Sequence, residues 1–154
     1  MSEHIATVHW QRNDDAFVRG RYSRAHEWRF DGGATVHASA SPSVVRVPWS
    51  DPAGVDPEEA LVAAVSSCHM LWFLSLAADA GHVVESYDDD AVGTMGRDAE
   101  GREAVTDIVL RPRISFGGET PPDANAIAKL HDDAHHRCFI ANSVRSAIRV
   151  EPRT

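Results

Sequence analysis

Short alternating stretches flank one long apolar block in this chain. Ile5 to Gln11 alternates loosely through Thr7 and His9 and reads as a strand. A polar, basic stretch follows, RNDDAFVRGRYSR. HEWRF and ATVHASA then flank Asp31-Gly32-Gly33, and a turn of that composition between two strand-like runs predicts a hairpin. The segment SPSVVRVPWSDPAGV carries three prolines and a glycine and predicts a loop or edge excursion.

The apolar block predicts a long helix. Asp56 has the chemistry of an N-cap, Pro57 suits the first helical position, and Glu59 completes a capping box. The helix should run to Ala80, with Gly81 as its stop. Leu61, Val65, Met70, Leu71, Trp72, Phe73, Leu74 and Leu76 are spread around it, which predicts a helix buried on most faces. Its cover would be a sheet, another helix or a second subunit. His82 to Met95 and Glu103 to Phe116 read as strands joined by a turn at Arg97 to Gly101, with Pro112 at an edge or bulge. A second helix should start at Pro121 or Pro122 and run to about His136, directly before Cys138. A turn over Ala141-Asn142-Ser143 leads to a last strand with Ala147, Ile148 and Val150. The order β-β-β-α-β-β-α-β predicts an α+β fold, with residues 1–154 as one domain.

Composition narrows the function. With 43% apolar residues in 154, the chain can build a core without disulfide staples. A formal net charge of -8 speaks against a nucleic-acid partner. The N-terminus MSEHIATVHW lacks the pattern of a secretory leader, and no run reaches 18 apolar residues. The expectation is a cytoplasmic protein with no membrane partner, in which a disulfide would be catalytic or sensory. Asp88-Asp89-Asp90 reads as a solvated face. Gly32-Gly33 and Gly117-Gly118 read as turns without the flanks of a phosphate loop.

The chemistry rests on two cysteines, Cys68 inside the long helix and Cys138 after the second. The thiolate is the reactive form. Cys68 lies too deep in its helix for the dipole to activate it, and burial raises a thiol pKa. A cation must come from elsewhere. His69 points about 100° away around the helix, so Arg19, Arg21 and Arg24 are the candidates. Taken alone, a cysteine in an apolar helix is ordinary core. A metal site from Cys68, His69, His135, His136 and Cys138 would lack the tight spacings of structural zinc sites.

VDPEEALVAAVSSC, the apolar helix after it and the distant CFIANSV together resemble the OsmC/Ohr family of organic hydroperoxide reductases. The spacing of Glu58 and Cys68 matches that family, and Arg24 in YSRAHEWRFDGG stands where its arginine does, with Arg19 and Arg21 as alternatives. Phe139 replaces the proline that usually follows the second cysteine, and His69 is an unusual neighbour for the first, so the chain resembles the general OsmC-like branch. The resemblance implies an OsmC-like fold, an intertwined homodimer with sites at the subunit interface, and no bound metal, flavin or other cofactor. It implies that Cys68 is oxidised by an organic hydroperoxide and condenses with Cys138, and that an external dithiol, lipoyl-type or other, reopens the disulfide. Arg24 would lower the Cys68 pKa and orient the peroxide, and Glu58 would hold the guanidinium. Ten residues of one helix separate Glu58 from Cys68 by about 15 Å of rise and about 80°. Glu58 must therefore act through Arg24 or from a second chain. Leu71, Trp72, Phe73, Phe139 and Ile140 would favour alkyl or fatty-acid hydroperoxides over hydrogen peroxide; packing is their plainer role. Two other readings are a non-enzymatic thiol sensor or ligand-binding dimer, and a zinc-binding protein using Cys138 and nearby histidines.

Overall fold

The computed structural model describes residues 1–13 and 16–153. These form two compact units, Met1–Ala60 and Leu61–Thr154. In the first, β1 (Ala6–His9), β2 (His26–Phe30) and β3 (Thr35–Ala38) make an antiparallel sheet in that order, with Trp28 opposite both Val8 and Val36. The β2–β3 hairpin turns where the Asp-Gly-Gly sequence predicts. Gly33 adopts a φ of 87°, which L side chains resist, and donates its N–H to the Phe30 carbonyl. The proline-rich segment after β3 contains no regular strand. Its Val55 exchanges backbone hydrogen bonds with His37 and Ser39. At Gly54 an added Cβ would lie 2.9 Å from the Ala38 carbonyl carbon and the Ser39 nitrogen, so close backbone approach requires glycine there.

Helix α1 (Pro57–Asp79) begins with the predicted capping box. Glu59 N–H donates to Asp56 Oδ1 at 2.8 Å, and Asp56 N–H donates to Glu59 Oε2 at 3.2 Å. Beyond Gly81, with φ at 80°, the chain forms β4 (Val83–Asp89), β5 (Val92–Arg97), β6 (Glu103–Leu110) and β7 (Pro112–Gly117). The sequence suggests two long strands here, and each is broken in two. β4 pairs with β7 and β5 with β6, both antiparallel, as one long hairpin kinked between Asp89–Pro112 and Val92–Val109. Chemistry at the kink explains the break. Pro112 has no N–H to give the ladder, and Arg111 donates its N–H at 2.6 Å to Asp89 Oδ1 instead of a strand carbonyl. The observed order is thus β-β-β-α-β-β-β-β-α-β, still α+β.

Helix α2 (Ala124–Arg137) starts later than Pro121 or Pro122 because Asp123 is the cap, accepting from Ala126 N–H at 2.8 Å. A short 3-10 turn at Ala141–Ser143 leads to β8 (Ala147–Val150), which runs parallel to β6. Two apolar clusters fill this unit. Phe73, Ala77, Leu130 and Ala134 pack with Trp72, Val84, Tyr87 and Phe116. Val65, Ile108 and Leu110 pack with Leu61, Val62, Val105, Ile140 and Ile148.

The expectation of a helix buried on most faces is corrected. Only Val65, His69, Phe73 and Ala77, one stripe at four-residue spacing, are buried in the single chain. Ala63, Ala64, Ser67, Leu71 and Ser75 are exposed. Apolar residues sit all round α1, but the clusters reach only one side. The helix is also long and apolar enough, by length and composition alone, to cross a bilayer. Counting unbroken apolar residues overlooks this because serines and His69 interrupt the run. The Asp triplet differs from a plain solvated face as well. Asp89 accepts from Ser66 Oγ on α1 at 2.5 Å, and Asp90 pairs with Arg153.

Candidate functional site

Cys68 lies on α1 one stripe away from the buried face, half-buried, with Trp72 one turn further on the same side. Cys138 is the residue at which the chain leaves α2, with φ and ψ of -66° and 110°. That change of direction turns its side chain inward, and it is fully buried. Local hydrogen bonds fix the segment. Ala141 N–H donates to Cys138 Sγ at 3.3 Å, Asn142 N–H to the Cys138 carbonyl at 3.0 Å, and Ser143 Oγ to the Phe139 carbonyl at 2.7 Å. The Trp72 and Phe139 rings meet edge-on at 5.5 Å, with the Arg137 guanidinium 5.7 Å from the Trp72 ring. This contact ties the turn after Cys68 to the residue after Cys138.

The Cys68 thiol lies near enough to Cys138 to act on its pKa, although the two sulfurs are not at bonding distance. Both are free. Burial raises the Cys138 pKa, the Ala141 N–H opposes that shift, and the neighbouring Cys68 thiol adds to it. Cys138 is therefore held as a buried, protonated thiol beside the more accessible Cys68.

Arg24 and Glu58 belong to the Met1–Ala60 unit. Arg24 donates from Nη1 to the carbonyls of Gly20 and Tyr22, at 2.9 and 2.6 Å, and stacks 3.6 Å above the Tyr22 ring. The Tyr22 ring itself packs 4.5 Å from Phe17 and 5.7 Å from Trp10. Glu58 occupies the first turn of α1. No ion pair joins Arg24 to Glu58 among the described residues. The pairing expected from sequence is not made within one chain, because the guanidinium is engaged by its own loop.

A second feature lies behind Cys68. His69 Nε2 and His131 Nδ1 are 3.0 Å apart, deep in the unit, and the His131 ring packs 4.5 Å from Phe73. Burial, with the charges of His131 and His135, lowers the His69 pKa to about 4; burial lowers that of His131 to about 4. Both rings are neutral at neutral pH. Sequence reasoning passed over His131. Its signal is the spacing of Leu130, His131 and Ala134, which form the buried stripe of α2. Among the described residues, no three His, Cys, Asp or Glu side chains are arranged to hold a metal ion, so the zinc reading built on Cys138 finds no ligand set there.

The histidine pair has a consequence for stability. An unfolded histidine binds its proton near the ordinary value of 6.5, and these two bind theirs only near 4. Between those values the unfolded chain carries more protons, so stability falls as pH drops from about 6.5 to about 4. Asp51, Asp98 and Asp133, lowered by hydrogen bonds and by ion pairs, contribute stability that is lost only below the ordinary carboxylate value of 3.8. Urea midpoints at pH 7 and pH 4.5 test this; equal midpoints would contradict a neutral buried pair.

The sequence profile of the OsmC-like protein family matches residues 50–153, which include α1, both cysteines and β8. The chain belongs to the OsmC-like family. An OsmC-like protein of unknown function from Vibrio cholerae is 54% identical, with 99% of this chain and 100% of that one covered and a TM-score of 0.97. More distant members share the fold. The organic hydroperoxide resistance protein OhrB of Bacillus subtilis is 13% identical with a TM-score of 0.68, covering 99% of this chain and 98% of that one. An organic hydroperoxide resistance protein from Elizabethkingia anophelis is 18% identical with a TM-score of 0.68, over 99% and 94% of the two chains. Comparison with curated proteins gives no match. The OsmC-like fold, α+β with two main helices, is thus established.

Proposed function

We propose that this OsmC-like protein is a thiol peroxidase that reduces organic hydroperoxides to alcohols in the cytoplasm. One observation carries the reading: a half-buried Cys68 beside a fully buried, protonated Cys138. The Cys68 thiolate attacks the terminal oxygen of the hydroperoxide. The O–O bond breaks, the alkoxide leaves and takes up a proton as the alcohol, and Cys68 becomes a sulfenic acid. Cys138 then attacks that sulfur, gives up its proton, and water leaves as the disulfide forms. Bridging requires Cα atoms within about 7 Å. An external dithiol reopens the bridge by two exchanges. Burial keeps Cys138 protonated, and the smaller contribution of the Cys68 thiol disappears once that sulfur is oxidised, which suits a resolving role.

Arg24 and Glu58 complete the site in this reading, through a second copy of the chain. Two observations support a homodimer: the exposed Ala63, Ala64, Ser67 and Leu71 face of α1, and the exposed Val8 on β1 with Ile5 just before it. Light scattering should give twice the mass of one chain, and a monomer at working concentration would remove the interface site. The activity test is consumption of cumene hydroperoxide with dihydrolipoamide as the dithiol. Steady turnover well above the protein-free rate is expected. A bridge that forms without turnover would favour the sensor reading instead.

A further inference from the structure

Outside the cysteine site, α2 and β8 border an open cavity of about 320 Å³ lined by Ala128, His131, Asp132, His135, Ile148, Val150 and Pro152. Its size is at the lower end for small-molecule pockets. Two nitrogens there have no partner among the described residues, His131 Nε2 and His135 Nδ1. His131 is only 5% exposed, and its other nitrogen is taken by His69. The two rings lie one turn apart on the same side of α2. A buried polar atom left unpaired is destabilising, so this wall favours a guest that can bond to it.

The chemistry of the walls selects that guest. Ala128, Ile148, Val150 and Pro152 ask for an apolar body. A neutral imidazole has one donor and one acceptor nitrogen, and the bond to His69 is open to either tautomer. A hydroxyl both donates and accepts, so it suits either arrangement and can bridge the two rings. A carboxylate only accepts, and it would meet the exposed carboxylate of Asp132 at the cavity wall. An ammonium only donates. We infer that this cavity binds a small uncharged alcohol or phenol, its hydroxyl held between His131 Nε2 and His135 Nδ1. The site is independent of the peroxidase reading and needs no turnover.

Calorimetric titration of the full chain with benzyl alcohol tests it. Saturable binding at one site per chain is expected. Toluene, which has the same ring and no hydroxyl, should bind about tenfold more weakly, as should benzyl alcohol to His135→Phe. Benzoate should not compete. Ala128→Trp places a bulky ring at an exposed wall position and should abolish binding while leaving the fold intact, which keeps the test decisive if His131 variants fail to fold. Absence of saturable binding, toluene binding as well as the alcohol, or unchanged affinity in both variants would overturn the assignment.

Discussion

Cys68→Ser should lower hydroperoxide turnover by on the order of 10³-fold or more, while Cys138→Ser should leave the first oxidation intact. A serine hydroxyl cannot replace a thiolate nucleophile, and loss of the attacking group removes the covalent route altogether. Cys138 acts only after the sulfenic acid exists. Without dithiol, Cys138→Ser should therefore consume one equivalent of peroxide and stop as a sulfenic acid that dimedone traps. Wild-type protein in the same experiment should give no dimedone adduct, because the buried thiol closes the bridge first. The reverse pattern, with Cys138→Ser unable to react and Cys68→Ser still oxidised, would exchange the two roles.

Phe73→Ala should destabilise the chain by about 3–5 kcal/mol. Phe73 is fully buried, and its ring centre lies 4.5 Å from His131, 5.7 Å from Tyr87 and 6.4 Å from Phe116. It joins α1 to α2 and to the β4–β7 pair. Truncation leaves a cavity among groups fixed on three different elements, which cannot collapse together to fill it. The same ring shields the His69–His131 bond, so the pH dependence between 6.5 and 4 should weaken in this variant. A midpoint shift in urea equivalent to less than about 1.5 kcal/mol would mean that the cluster is centred elsewhere.

What the sequence revealed follows the range of the forces involved. The α1 capping box and the Gly33 turn are written in a few adjacent residues, so both were legible. Asp123 as the α2 cap is equally local, but Pro121 and Pro122 carry a competing helix-start signal. The kink in the long hairpin was not legible, because it depends on Asp89 receiving the Arg111 N–H across the strand pair. Nor was the His69–His131 bond, whose partners are 62 positions apart. The burial of α1 was overestimated because apolar composition says which residues favour burial, and tertiary structure decides which are covered. The two cysteines were legible as candidates. Their pairing is implied only by the family resemblance; contacts such as that between Trp72 and Phe139, which position the segments carrying them, are not written in the sequence. Arg24 stands at the motif position, but its bonds to Gly20 and Tyr22 follow from the fold of its loop.

The central claim is that Cys68 and Cys138 form one redox couple. Mass spectrometry after one equivalent of cumene hydroperoxide, without reductant, tests it most directly. The account predicts loss of two hydrogens per chain and a single Cys68–Cys138 cross-linked peptide, both reversed by dihydrolipoamide. An unbridged Cys138 beside a Cys68 oxidised to sulfinic acid, or no oxidation of Cys68 at all, would contradict it.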